Sequence, residues 1–227
     1  MNRLLDRNDN LSIIIAGIFA IIIGLGVARF AFTSLIPSML VNHLDITFAG
    51  ILASLNFAGY LSGSLLSIFI KDINQKVLLF RFGVVLAITS TLALALNSND
   101  TVWIVARILA GFAGAMTFVV GSAIVMTKLQ MESKTKAMGI HFSGIGFSIL
   151  TTDLINRYVL SSGGSWQDSW LVLAIFAFVI SIYSVYILSF DKKVKQNVVK
   201  HGFDKSIFTF FVVLLIIVYF AEGVGFV

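Results

Sequence analysis

Charged and polar side chains interrupt several long apolar stretches of this sequence. A charge in the middle of a bilayer costs at least about 2.5 kcal/mol on insertion scales, so each such residue is a candidate for a solute, ion or proton pathway. The candidate pathway or coupling residues are Arg29, Asn56, Tyr60, Arg107, His141, Asp153 and Glu222.

Arg29 and Arg107 each have two interpretations. Arg29 lies beyond the centre of its apolar stretch, where it cannot easily reach the cytoplasmic surface. It either contacts an anionic or polar solute in a cavity, or clamps a carbonyl or acid of another helix. Arg107 is followed by small residues on one helical face, which permits close packing, and both roles are open for it too. Arg81 follows Lys76 by five residues, so it can reach the interface and a structural role is expected.

The fifth apolar stretch carries Asp153, Arg157 and His141. Asp153 and Arg157 are four residues apart and are predicted to form a structural pair on one turn of helix. His141 lies about 120° away on a second polar face, at about 100° per residue. Histidine titrates near neutral pH, so a proton relay is one interpretation and an interhelical hydrogen bond is the other.

Asn56 and Tyr60 belong to a small, polar stripe on the second stretch, together with Gly59, Gly63 and Ser67. The glycines favour helix packing, whereas Asn56 and Tyr60 favour a water-filled path. Glu222 lies deep in the last stretch. A carboxylate there suggests ion or proton coupling, or partnership with an intramembrane arginine.

No catalytic constellation is visible. The chain has no cysteine, and it has no HExxH zinc helix, no phosphate-binding Walker loop and no G-x-S-x-G elbow. We therefore expect no enzyme activity, no catalytic residue, no metal site and no cofactor.

Composition determines the elements that position these side chains. Hydrophobic residues make up 58% of the 227 positions and charged residues only 12%, with a mean hydropathy of +0.99. A soluble domain and a disordered chain are both excluded. Stretches of about 20 apolar residues without barrel-like alternation predict membrane-spanning helices. The predicted spans are Leu11–Leu40, Ile46–Ile70, Val77–Leu96, Val102–Met126, Ala137–Leu160, Trp170–Phe190 and Ile207–Val227.

Basic residues predict the orientation. Every lysine, together with Arg3 and Arg7, lies in the amino-terminal tail or in alternate loops, while loops 41–45, 97–101 and 161–169 contain no basic residue. The positive-inside rule therefore places the amino terminus in the cytoplasm. The tryptophans then lie at the outer interface, as in an aromatic belt. The positive charge suits anionic lipid, and no nucleic-acid partner is expected.

A long polar loop suggests the domain organisation. Residues 1–190 are predicted to form a six-helix bundle, 191–206 a cytoplasmic central loop, and 207–227 the first helix of an incomplete second bundle. Residues 24–27 (GLGV) and 223–226 (GVGF) form a weak repeat that a duplicated transporter would show.

Several motifs together resemble YbfB/YjiJ-like transporters of the major facilitator superfamily. They are GLGVARFAFT at 24–33 with IPSML at 36–40, NFAGYL at 56–61, RILAGFAGA at 107–115, HFSGIG at 141–146 and YFAEGVG at 219–225. The loop KDINQK at 71–76 lacks the glycine usual in this superfamily, and the fifth span lacks the glycine-proline motif of antiporters. The resemblance implies a six-helix amino-terminal half plus a seventh helix.

The resemblance implies a secondary active transporter of a small solute that works by alternating access, with proton coupling as an option. A full member has twelve helices, so we expect this chain to be truncated, to lack its carboxy-terminal half, and not to transport alone. The alternative is a non-transport membrane subunit or an inactive truncated product. The expected location is the plasma (inner) membrane.

Overall fold

The computed structural model describes residues 6–41, 43–129 and 134–189, and the single positions 214, 217 and 218. These residues are helical wherever they are regular, and they contain no strand. Six helices are long and apolar enough to cross a membrane. They are α1 (Asn10–Leu40), α2 (Ile46–Phe69), α3 (Ile73–Leu96), α4 (Asp100–Lys128), α5 (Lys134–Ser161) and α6 (Trp166–Ile187).

The prediction of an all-α membrane protein with six spans up to residue 189 is confirmed. Two helices begin four residues earlier than predicted because polar caps extend them beyond the apolar stretch. The Asp72 carboxylate accepts from the Asn74 backbone N–H at the start of α3. Ser165 and Asp168 form a reciprocal capping box at the start of α6. Hydropathy alone does not register these turns, because their stabilisation is polar.

The chain divides into two compact units, Met1–Gln196 and Asn197–Val227. In the second unit only positions 214, 217 and 218 are described, and they are helical. The predicted central loop at 191–206 and most of the predicted seventh helix at 207–227 lie outside the described residues. The predicted division of the chain into bundle, loop and incomplete bundle stays a prediction.

Within the first unit, α1 and α4 are the most buried helices, and α2 and α5 the least. Two clusters of buried apolar side chains fill the bundle. One includes Leu44, Trp103 and Trp170 and lies toward what we call the tryptophan end. The other includes Ile73 and Leu129 and lies toward the opposite, lysine end.

The tryptophan end is closed by stacked rings rather than by a lipid-facing belt. His43 stacks on Trp166, with ring centroids 4.7 Å apart, and meets Trp103 edge-on at 5.1 Å. Trp103 and Trp170 have no exposed surface. The prediction of an aromatic belt is therefore wrong for these two residues. Both pack inside the bundle, where the Trp103 Nε1–H donates to the Asn97 carbonyl. The Trp170 Nε1–H is buried without a hydrogen-bond partner among the described residues.

The contact between α2 and α4 depends on glycine. A Cβ atom on Gly111 would collide with the carbonyl oxygen of Asn56, and one on Gly59 would collide with the carbonyl oxygen of Ile108. The two backbones therefore touch directly. Such close approach replaces the hydrophobic driving force that is missing between helices in lipid.

Both α1 and α4 contain a π-helical segment, at Ile22–Phe30 and Met116–Val120. At the end of the first segment, the backbone N–H of Ala31 bonds to the carbonyl of Gly26, five residues back. The wider turn changes the direction of the following side chains and is often found at functional sites.

We expect Gly111→Ala to lower the free energy of unfolding by about 1–3 kcal/mol, because the added methyl group overlaps a backbone that cannot move without separating two helices. Thermal unfolding of the protein in detergent measures this change. Gly139→Ala is the matched control, because a Cβ there meets no atom within 4 Å. Equal stability of the two variants would contradict the proposed backbone contact.

Candidate functional site

Arg29 lies on α1 at the end of the π-helical segment, near the middle of the 31-residue helix. Its guanidinium carbon is 4.2 Å from the centroid of the Phe57 ring, 5.1 Å from that of Tyr60 and 5.4 Å from that of Phe30. The rings give the cation partial electrostatic compensation. Its buried Nε has no hydrogen-bond partner. Arg29 therefore lies in a partly open aromatic enclosure.

Arg107 on α4 has a different environment, although it is also an intramembrane arginine. It is only 2% exposed. One Nη donates to the Ala28 carbonyl at 3.2 Å, and the guanidinium lies 4.3 Å from the Phe32 ring centroid. These contacts correspond to the clamp interpretation, because the arginine connects α4 to a carbonyl of α1.

Asn56 on α2 adds to this connection, and we call the hydrogen bonds of Asn56 and Arg107 to the Ala28 carbonyl the tie. Its side-chain amide donates to the carbonyl of Ala28 at 3.2 Å and to the carbonyl of Arg107 at 3.0 Å. The side chain is 1% exposed. Asn56 therefore holds α1, α2 and α4 together. Tyr60, one turn further along α2, faces Arg29 instead. The polar stripe predicted on α2 thus contains Asn56, which connects helices, and Tyr60, which lies beside the guanidinium of Arg29.

His141 on α5 has no exposed surface. One ring nitrogen, Nε2, is 2.9 Å from the hydroxyl of Ser122 on α4. The other, Nδ1, has no hydrogen-bond partner and lies against Gly17, where a Cβ atom would fall 2.5 Å from it. The geometry corresponds to the interhelical hydrogen-bond interpretation, and the proton-relay role stays a prediction.

Asp153 and Arg157 interact on α5 across one helical turn. Arg157 Nε donates to Asp153 Oδ2 at 2.6 Å, and the arginine side chain is 75% exposed. Asp153 also borders a cavity of about 470 Å³ between α1 and α5. Phe30, Thr33 and Ser34 line it from the α1 side.

The remaining predicted residues do not join these groups. Arg81 donates to the hydroxyl of Ser189 at 2.6 Å, near the lysine end, which agrees with the structural role expected for it. Glu222 lies outside the described residues. The structure therefore brings Arg29 and Tyr60 together, connects Asn56 with Arg107, and leaves His141 and Asp153 in separate environments.

Sequence reasoning missed Asn156. It is 1% exposed, and its amide donates to the carbonyl of Ala31 at 3.4 Å and to the hydroxyl of Ser34. The polar face predicted from His141 to Thr152 continues to this position after one more turn. The periodicity was therefore available to find it. Ser184, which donates to the Ala16 carbonyl at 2.8 Å, had no comparable signal in the sequence.

Six spanning helices, three of which are joined through the interior side chains of Asn56 and Arg107, define an all-helical integral membrane protein. A family profile described as "Uncharacterised MFS-type transporter YbfB" matches residues 21–227. The chain belongs to this family of the major facilitator superfamily, as the motif resemblance predicted. It is thus a membrane transporter in the general sense, and the family implies a transporter rather than an enzyme. No curated protein matches the chain.

We expect Asn56→Ala to lower the free energy of unfolding by about 1–3 kcal/mol, because two carbonyls buried away from water lose a donor. Chemical or thermal unfolding in detergent measures the loss. Asn97→Ala is the control, because Asn97 is exposed and its amide donates only to the carbonyl of Ala93 on its own helix. A variant at position 56 as stable as the control would show that the tie contributes little.

Proposed function

We propose that this protein is part of a secondary active transporter that moves a small solute by alternating access. The observation that carries the proposal is the position of Arg29, a cation near the middle of a spanning helix in a partly open aromatic enclosure. Intramembrane charges that line a path are typical of transport proteins.

The exposure of the bundle supports the same proposal. The helices α2 and α5 have the least buried apolar windows, 22% each, whereas that of α1 is 78% buried. Phe57 of α2, which contacts Arg29, is 53% exposed. In transporters built from two bundles, solute sites lie near the midplane where the bundles meet. A bundle of this kind supplies one wall of such a site from its less buried helices.

The pathway residues divide into two groups under this proposal. Arg29 and Tyr60 face the open side and are proposed to contact the solute. Asn56 and Arg107 hold the helices that carry them, through the carbonyl of Ala28. Asp153 is proposed to act at the cavity between α1 and α5.

Proton coupling is part of the proposal, with His141 and Glu222 as its candidate residues. His141 has no exposed surface and already pairs with Ser122, which favours a tie over a relay. Glu222 is the other candidate, outside the described residues. We propose a cytoplasmic amino terminus in the plasma (inner) membrane, because the lysines lie at one side of the predicted spans.

The alternative is a non-transport membrane subunit in which the polar residues only hold helices together. Asn56, Arg107 and His141 favour this alternative, since each bonds between helices. Arg29 does not favour it, because its buried Nε has no hydrogen-bond partner among the described residues. The two functions differ in whether water reaches Arg29 from both sides of the membrane.

A single introduced cysteine tests this difference, since the natural chain has none. In cells that produce the protein from its own gene, we expect Phe57→Cys to react with a membrane-impermeant methanethiosulfonate both in intact cells and in inside-out vesicles. Alternating access exposes the neighbourhood of Arg29 to each side in turn. Labelling is read by mass shift of the purified protein.

Phe82→Cys is the matched control. Phe82 is also 53% exposed, and it lies on α3 between Leu78 and Val85, which are exposed apolar residues on the same face. It should react from neither side, because that face is apolar and lipid covers it. Reaction of position 57 from one side only, or at the rate of position 82, would contradict alternating access.

A further inference from the structure

Arg29 is a membrane-embedded cation without an anionic partner among the described residues. It forms no ion pair there, and its Nε is buried without a hydrogen-bond partner. Cation–π contacts occupy the faces of a guanidinium and leave its edge, where the N–H donors lie, unused. A buried donor left unsatisfied is costly, so the edge of Arg29 is a place where a ligand gains binding energy.

The described carboxylates are committed elsewhere. Asp6, which precedes α1, accepts from the backbone N–H of Asn8. Asp9, Asp45, Asp72 and Asp168 accept hydrogen bonds at helix starts, and Asp100 lies in the first turn of α4. Asp153 lies deeper, but it pairs with Arg157 on its own helix. In the described part of the chain, therefore, no acid neutralises Arg29.

Arg107 increases the need for an anion. Arg107 donates through one Nη to the carbonyl of Ala28, the residue before Arg29, so it adds a second positive charge near the site. It also lies against the Phe32 ring. Its Nε also has no hydrogen-bond partner, but Arg107 is only 2% exposed, so a ligand reaches Arg29 and not Arg107. Only Arg29 is accessible to a ligand, and Arg107 adds a second positive charge nearby. This arrangement suits a singly charged anion.

The walls of the enclosure indicate the rest of the ligand. Phe57 and Tyr60 lie within 4.2 and 5.1 Å of the Arg29 guanidinium carbon, measured to the ring centroids. Phe57 is half exposed, so a ligand reaching Arg29 passes an apolar ring. Inorganic phosphate, which is strongly hydrated, gains little from such walls. An organic anion with an apolar body gains from both the charge and the rings.

We propose that Arg29 binds a carboxylate through the edge of its guanidinium, with Phe57 and Tyr60 packing against the apolar part of the bound group. This rests on the proposed transport function in one respect, because it names the solute class as small organic monocarboxylates.

Benzoate, an aromatic monocarboxylate, is the probe. Equilibrium dialysis of the detergent-purified protein against radiolabelled benzoate should show saturable binding. We expect affinity to fall by at least about tenfold in Arg29→Gln, because charge-assisted hydrogen bonds are lost. Arg29→Lys keeps the charge but loses the planar guanidinium, so its affinity for benzoate should lie between those of the natural protein and Arg29→Gln. Phe57→Ala should also weaken binding, and its exposed position leaves folding intact.

Arg157→Gln is the charge-matched control and should bind benzoate like the natural protein, since Arg157 is exposed on α5 and pairs with Asp153. Unfolding temperatures of every variant identify any loss caused by misfolding. If Arg29→Gln does not fold, Arg29→Lys and Phe57→Ala decide the result.

Saturable benzoate binding that depends on Arg29 and Phe57 supports the proposal. Absence of benzoate binding, or phosphate binding at least as tight as benzoate binding, overturns it. Neither overturning result changes the cysteine labelling that tests alternating access, so the two proposals fail separately.

Discussion

The carbonyl oxygen of Ala28 is the point at which three helices of this bundle are joined. It accepts from Asn56 of α2 and from Arg107 of α4, and it belongs to the π-helical segment of α1. No water in the hydrocarbon layer can substitute for these donors. The need to hydrogen-bond these buried polar groups therefore determines how the three helices pack. The glycine contacts of α2 with α4 let the backbones approach closely enough for Asn56 to reach both carbonyls.

The same requirement explains why two arginines of similar depth differ. Arg107 points into the tie and is 2% exposed, and its charge is used to hold helices. Arg29, one residue beyond Ala28, points away from the tie into an aromatic enclosure. The tie fixes the rotation of α1, so it fixes the direction in which Arg29 is presented. A structural constraint thus positions the residue that we propose to bind solute.

Hydropathy was enough to predict the spans, because apolar length is the dominant signal in a membrane protein. The small residues of α4 also predicted its close packing, which Gly111 and Asn56 show. The distinction between Arg29 and Arg107 was not predictable. It depends on a π-helical segment that shifts the helical phase, and the sequence carries no periodic mark of that shift. The buried positions of Trp103 and Trp170 were missed because side-chain partners decide them, while the interfacial rule uses position alone.

The ring stack of His43, Trp103 and Trp166 has a mechanical consequence. His43 follows α1, Trp103 begins α4, and Trp166 begins α6, so three separate connections of the chain meet in one aromatic contact. Displacing one of these connections requires breaking its ring contacts with the other two. The contacts therefore resist separate movement of these three connections at this end of the bundle.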